Sequence, residues 1–191
     1  MKVYVVNGFP GSGKTTFEQK IKEMTSYKCK IISTVDFVKE IAKECGWDGS
    51  KTPENRKFLS NLKNLLTEWN DVPFKKVEQA IAVFERDAQF WFPLNYMNVP
   101  VFIDSREPKE IDRFKKTFDA KTILIRRPGD EEAAQSNDSD KNVLNYNYDI
   151  VINNNGTIRD LALKAEEFMI RENLYMPEPY EIDLFGDVHI G

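Results

Sequence analysis

The sequence predicts a single α/β domain, a parallel sheet covered by helices on both faces. Short apolar runs with strand character alternate with amphipathic helical stretches along the chain. The runs are too apolar to leave one face in water, as expected of a parallel sheet buried on both sides. A length of 191 residues suffices for one such core, and neither a repeat nor a low-complexity segment interrupts it.

The first run, Val3 to Val6, is β-branched and aromatic and stops at Gly8. Residues 14 to 27 follow as a helix with Phe17, Ile21 and Met24 on one face, and residues 29 to 33 read as a second strand. Ser33-Thr34-Val35-Asp36 has the form of a capping box, before a stripe of Val38, Ile41, Ala42 and Cys45 that Gly46 ends. Beyond the Trp47-Asp48-Gly49 loop, Thr52-Pro53 places an N-cap before a proline at the first helical position. That helix is expected to bury Phe58, Leu62, Leu65, Leu66 and Trp69. The next, from Pro73, turns Val77, Ala80, Ile81, Phe84, Ala88 and Trp91 inward. Val101 to Ile103 is the third strand, ending at Asp104; a short helix follows Glu107-Pro108, and Thr122 to Ile125 is the fourth strand. The polar residues 128 to 142 read as a mobile loop, residues 149 to 152 as the fifth strand, and Asn153 to Gly156 as a turn. Thr157 caps a last helix carrying Ile158, Leu161, Ala162, Ala165 and Phe168. From Pro177 onward no period is visible, so residues 173–191 are expected to be an arm or tail on a 1–172 domain.

Composition removes several function classes. The net charge is −4, from 27 basic and 31 acidic residues, which opposes a sequence-independent nucleic-acid binder. A single histidine, His189, leaves neither a His-rich zinc site nor a Ser/His/Asp triad in the core. No apolar run reaches the roughly 20 residues of a membrane span, and the N-terminus lacks signal-peptide form. A cytoplasmic location is therefore expected, with Cys29 and Cys45 as small apolar groups rather than a disulfide.

Gly8-Phe9-Pro10-Gly11-Ser12-Gly13-Lys14-Thr15 fits the phosphate-binding pattern G-x-x-x-x-G-K-[ST], and it leaves a strand and opens a helix as that motif requires. Successive backbone N–H groups and a helix N-terminus can surround a polyphosphate there. Gly8, Pro10, Gly11, Ser12, Gly13, Lys14, Thr15 and Thr16 are the expected ATP contacts. Lys14 reaches the β- and γ-phosphates, and Thr15 offers its hydroxyl to Mg²⁺. Asp104, at the end of the third apolar run, is the second expected metal residue. Arg106 and Arg127 follow predicted strand ends, the edge at which open α/β sheets bind ligands, and can neutralise charge in phosphoryl transfer; Arg113 and Arg126 are read as surface residues. The helical stretch between strands two and three (34–98) contains Asp36, Lys39, Arg56 and Arg86. A simple ATPase has no need of it, whereas a kinase for a small acceptor needs a second cleft wall, on which these four residues are the expected acceptor contacts.

At these positions the chain resembles the P-loop nucleoside-monophosphate kinase superfamily, over about residues 1 to 170. Ser33-Thr34-Val35-Asp36-Phe37-Val38-Lys39 is similar to the S-T-G-D-x-x-R stretch of adenylate kinases, and Asp104-Ser105-Arg106 to the D-G-x-P-R corner. A narrower likeness, to bacteriophage-type deoxynucleoside monophosphate kinases, rests on two stretches. Trp47-Asp48-Gly49-Ser50-Lys51 with Arg56 and Leu59 is one; Arg127-Pro128-Gly129, Ser136-Asn137 and Tyr148 to Gly156 make the other. Val35 stands in place of the family glycine, and Lys39, a point charge, in place of the two-pronged arginine. The resemblance implies a five-stranded parallel sheet ordered 2-3-1-4-5, a lid at residues 127–145, ATP and Mg²⁺ as cosubstrates, and a nucleoside monophosphate as acceptor. A kinase for a non-nucleotide small molecule and a non-catalytic ATP-binding module remain alternatives, and a homodimer stays open. A GTPase is disfavoured by the lack of an [NT]-K-x-D motif.

Overall fold

Strand β1 (Lys2–Asn7) alternates in the way a central strand must, with Tyr4 and Val6 facing one side of the sheet and Val3 and Val5 the other. The computed structural model describes residues 1–26, 28–129 and 143–175, together with 180–182 and 188–190. Around β1 lie β2 (Lys30–Ser33), β3 (Pro100–Asp104), β4 (Lys121–Arg126) and β5 (Ile150–Asn153). They form one parallel sheet in the order β2-β3-β1-β4-β5, as expected. The register sets Val6 opposite Asp104 and Asn7 opposite Leu124, so the carboxyl ends of β1, β3 and β4 open at one edge.

Helices α1 (Lys14–Met24) and α6 (Ile158–Arg171) cover one face. Phe17, Ile21, Leu161, Ala165 and Phe168 pack there against Tyr4, Phe102, Ile123 and Ile125. The Tyr4 and Phe17 rings meet Phe168 edge-on at 5.1 and 5.5 Å. Burying each such ring stabilises the fold by about 1.5–3 kcal/mol. On the other face α4 (Val72–Trp91) and α5 (Pro108–Phe118) bring Phe74, Val77, Ile81, Ile111 and Phe114 onto Val3, Val5, Val101 and Ile103. Helices α2 (Asp36–Glu44) and α3 (Pro53–Asn70) lie between β2 and α4 in the chain.

Local signals act as the sequence predicts at two helix starts. Thr52 accepts a hydrogen bond from the Asn55 backbone N–H, with Pro53 at the first turn. Thr157 and Asp160 form a reciprocal capping box. At α2 only half a box forms: Asp36 accepts from the Ser33 N–H at 2.8 Å, while the Ser33 hydroxyl accepts from Val35 rather than Asp36.

The structure corrects four further expectations, at α3, Trp91, Cys45 and Asp149. No residue of α3 is buried; Leu62 and Leu66 are half-covered, and Phe58, Leu65 and Trp69 are 37%, 63% and 81% exposed. The helix packs on α2 and α4 and not on the sheet, so its apolar stripe is only partly covered. At the end of α4, Trp91 is exposed too. Cys29 is buried as expected, but Cys45 is exposed, one residue past the end of α2; both are free thiols. In the tail, where the sequence shows no period, β6 (Tyr180–Ile182) and β7 (Val188–Ile190) pair antiparallel. Most of the expected 127–145 lid lies outside the described residues. Among the described residues no helix is long and apolar enough to cross a membrane.

Asp149, expected to begin β5, instead stands just before it. Its carboxylate accepts from the Thr122 N–H and hydroxyl, each at 2.8 Å, and from Lys115 at 2.9 Å, joining β4, β5 and α5. Asp149→Ala leaves the Thr122 N–H without this partner and is expected to lower stability by about 1–3 kcal/mol in urea unfolding, with the sheet order unchanged.

Candidate active site

The loop between β1 and α1 is held from three sides. Phe9 is fully buried against Leu124 and Val143, which anchors the loop to β4. At its start, the Asn7 side chain accepts from the Gly8 N–H at 2.8 Å and donates to the Tyr148 hydroxyl at 2.7 Å. Near its end, the Asn154 side chain donates to the Ser12 carbonyl at 2.9 Å, while the Asn154 backbone N–H donates to the Arg126 carbonyl at 2.7 Å. Two glycines make this closeness feasible. A Cβ on Gly8 would stand 2.3 Å from the Ile125 carbonyl oxygen; one on Gly13, at φ +105°, would stand 2.5 Å from the Asn154 amide nitrogen.

Lys14 arches back over the loop and donates to the Gly8 and Phe9 carbonyls at 2.6 and 2.9 Å. Arg127 donates to the Gly11 carbonyl at 3.4 Å from the far side. Between them lies a cavity of about 330 Å³ lined by Gly11, Gly13, Lys14, Thr15, Thr16, Arg127, Asn154 and the start of α6. Thr15 is exposed at the N-terminus of α1, where the helix dipole and free N–H groups favour an anion.

Asp104, at the end of β3, lies within electrostatic reach of Lys14, Arg106 and Asp36, and its Oδ1 is buried with no hydrogen-bond partner. Its companion is Glu18, one turn beyond Lys14 on α1 and 2% exposed. The two carboxyl groups act on each other, and Glu18 Oε1 likewise lacks a hydrogen-bond partner. Burial first, and the Asp104 carboxylate second, push the Glu18 acid well above the usual carboxylate range; Lys14 opposes this. Burial also raises Asp104, against the pull of Lys14. An orphaned carboxylate oxygen, a helix-opening hydroxyl and a ring of backbone N–H groups are hard oxygen and dipole donors that suit a nucleotide with its Mg²⁺.

The second wall comes from the elements after β2. Asp36 and Lys39 pair at 3.5 Å, both partly exposed. Lys63 on α3 reaches Glu110 of α5 at 2.7 Å, and Glu110 also accepts from Ser105 at 2.9 Å, next to Asp104. This tie holds α3 at the carboxyl edge of the sheet. Arg56 is seven residues before Lys63, hence on the same helical face about 10 Å along the axis. Arg86 is not brought here. It pairs with Asp87 at 3.0 Å near the end of α4, where the neighbouring Glu85 acts on the Met1 amino group, at the end of the sheet away from the phosphate loop. Arg113, read as a surface residue, pairs with Asp71 and lies over the Phe74 ring.

Sequence reasoning missed Glu18, Asn7, Tyr148 and the Lys63–Glu110 tie. Glu18 alone carried a signal, an acid between Phe17 and Ile21 on the apolar face of α1. The others depend on contacts between residues 47 or more positions apart, or on a strand end.

Five parallel strands in this order, with the phosphate loop between β1 and α1, define the P-loop kinase fold. The dephospho-CoA kinase of Campylobacter jejuni shares it at a TM-score of 0.53 and 17% identity, over 90% of this chain and 97% of that one. The shikimate kinase of Aquifex aeolicus aligns at 0.47 and 16% identity, over 91% and 98%. No family model and no curated protein sequence matches the chain.

Gly13→Ala places a Cβ in the Asn154 contact at a backbone angle that costs an ordinary residue about 1–3 kcal/mol. If the loop binds a nucleotide, the substitution is expected to weaken that binding at least about tenfold while the sheet stays folded, as isothermal titration and circular dichroism can check.

Proposed function

We propose that this chain is an ATP- and Mg²⁺-dependent kinase that transfers the γ-phosphoryl group to a (deoxy)nucleoside monophosphate, giving the diphosphate. The observation that carries this reading is the convergence of Lys14, Thr15, Asp104 and Arg106 at one sheet edge, facing a helical wall with its own cationic residues. A simple nucleotide hydrolase has no use for that wall.

Each residue has a distinct task in this reading. The N–H groups of residues 11 to 16 hold the phosphates of ATP, and Lys14 exchanges its loop carbonyls for β- and γ-phosphate oxygens. Thr15 and Asp104 hold the cation, which supplies neutralising charge on the phosphates. Arg106 and Arg127 stabilise the transferred group from two sides, and Asn154 keeps the loop in shape under that charge. Lys39 and Arg56 hold the acceptor phosphate.

One observation favours a second reading, a kinase for a non-nucleotide small molecule. Asp36 pairs with Lys39, which weakens the acceptor side as an anion site. ADP release measured with nucleoside monophosphates, dephospho-CoA, hydroxyl acids, sugars and no acceptor separates the readings. Monophosphate-dependent ADP formation is expected; turnover only with another acceptor selects the second reading, and tight ATP binding without turnover selects a regulatory module.

Lys14→Ala is expected to lower turnover by roughly two to three orders of magnitude in a folded protein. Lys39→Ala or Arg56→Ala should raise the acceptor KM about ten- to hundredfold, the effect of losing a charge-assisted contact of about 1.5–3 kcal/mol. The ATP KM should hardly move. A rise in the ATP KM at constant acceptor KM would show that the two sides of the cleft are exchanged.

A further inference from the structure

We propose that Glu18 is a third cation-binding residue, completing with Thr15 and Asp104 a seat for a divalent ion beneath the phosphate loop. This rests on the nucleotide-dependent reading above and adds a residue that the phosphate-loop motif does not contain.

Position makes the case first. Glu18 lies three residues after Thr15 and four after Lys14, so all three project from one side of the first turns of α1. Its neighbours Phe17 and Ile21 are both fully buried in the core under the sheet. An apolar side chain at position 18 would suit that surrounding better than a carboxyl group, whose burial is costly without partners. The residue is nonetheless only 2% exposed, and its carboxyl group interacts with Asp104.

Unsatisfied atoms make the case second. Glu18 and Asp104 interact with each other, and one oxygen of each, Glu18 Oε1 and Asp104 Oδ1, is buried without a hydrogen-bond partner. Buried polar atoms in a folded protein are almost always paired, so two orphans in contacting carboxyl groups are a request for a ligand. The nearest cation, Lys14, already donates to two loop carbonyls, and Arg106 acts on Asp104 from the exposed side. Asp36 adds negative charge from the β2 side. A small hard cation with oxygen ligands answers both orphans at once. Among the described residues no cluster of three or more acids, histidines and cysteines forms, so the ion needs the Thr15 hydroxyl and the nucleotide phosphates as well. That makes cation and nucleotide binding mutually reinforcing.

The test measures that reinforcement directly, without turnover. The affinity of a fluorescent ADP analogue is determined on the full chain in chelator and again in saturating Mn²⁺. The wild type is expected to bind more tightly with Mn²⁺. Glu18→Gln keeps the shape and the contact to Asp104 but not the charge. It should leave the affinity in chelator unchanged and reduce the Mn²⁺ enhancement about ten- to hundredfold. Glu18→Leu, which suits the apolar surroundings, provides a second folded variant with the same expected loss. Either folded variant with the full wild-type enhancement overturns the role of Glu18 and leaves the kinase reading standing. A wild type that binds the analogue but gains nothing from Mn²⁺ overturns the cation seat. A wild type that binds it under neither condition overturns the nucleotide reading itself, and this inference with it.

Discussion

Parallel pairing of β1 with β3 and β4 is the constraint from which the rest of the molecule follows. Parallel strands end on the same side, so the register that faces Val6 with Asp104 and Asn7 with Leu124 also decides which side chains can share a site. Asp104 meets α1 only because β3 stops level with the phosphate loop. The helices contribute by closing both faces: Phe168 and Phe17 lock α1 and α6 together under the loop, and Phe74 and Phe114 do the same for α4 and α5.

Charge at this edge is arranged in opposition rather than in one sign. Asp36, Asp104 and Glu18 stand among Lys14, Arg106 and Arg127, in a chain whose overall charge is only −4. A uniformly basic cleft would attract the nucleotide phosphates without offering a cation any oxygen ligand. A mixed one leaves room for a cation to arrive with its ligand and leave with it.

The strands and the phosphate loop were legible in the sequence because each has a strong local or motif signal: β-branched runs, glycine spacing, and a lysine followed by a hydroxyl residue; the strand order has no such signal and came from the family resemblance alone. Burial along the helices was less legible. The stripe Phe58, Leu62, Leu65, Leu66 and Trp69 has sound helical spacing, yet periodicity reports that one face is apolar and not that anything covers it. Asp149 was misread for a related reason, since nothing local to it says that Thr122 and Lys115 will be its partners. Of the expected site residues, those on strand ends and in the loop gather at one edge. Arg86, placed by its charge and its position in the helical stretch alone, points to where a helix happens to run.

The arched Lys14 carries a consequence for how tightly any anion can be held. In the free loop its ammonium group is already engaged by the Gly8 and Phe9 carbonyls. In the nucleotide-binding reading proposed above, binding is an exchange, in which phosphate oxygens displace main-chain oxygens from the same donor. Its net strength is the difference between the two sets of bonds, and the same difference governs how readily the spent ligand departs. A loop that kept its lysine extended and unengaged would grip harder and release more slowly; this one is set for traffic.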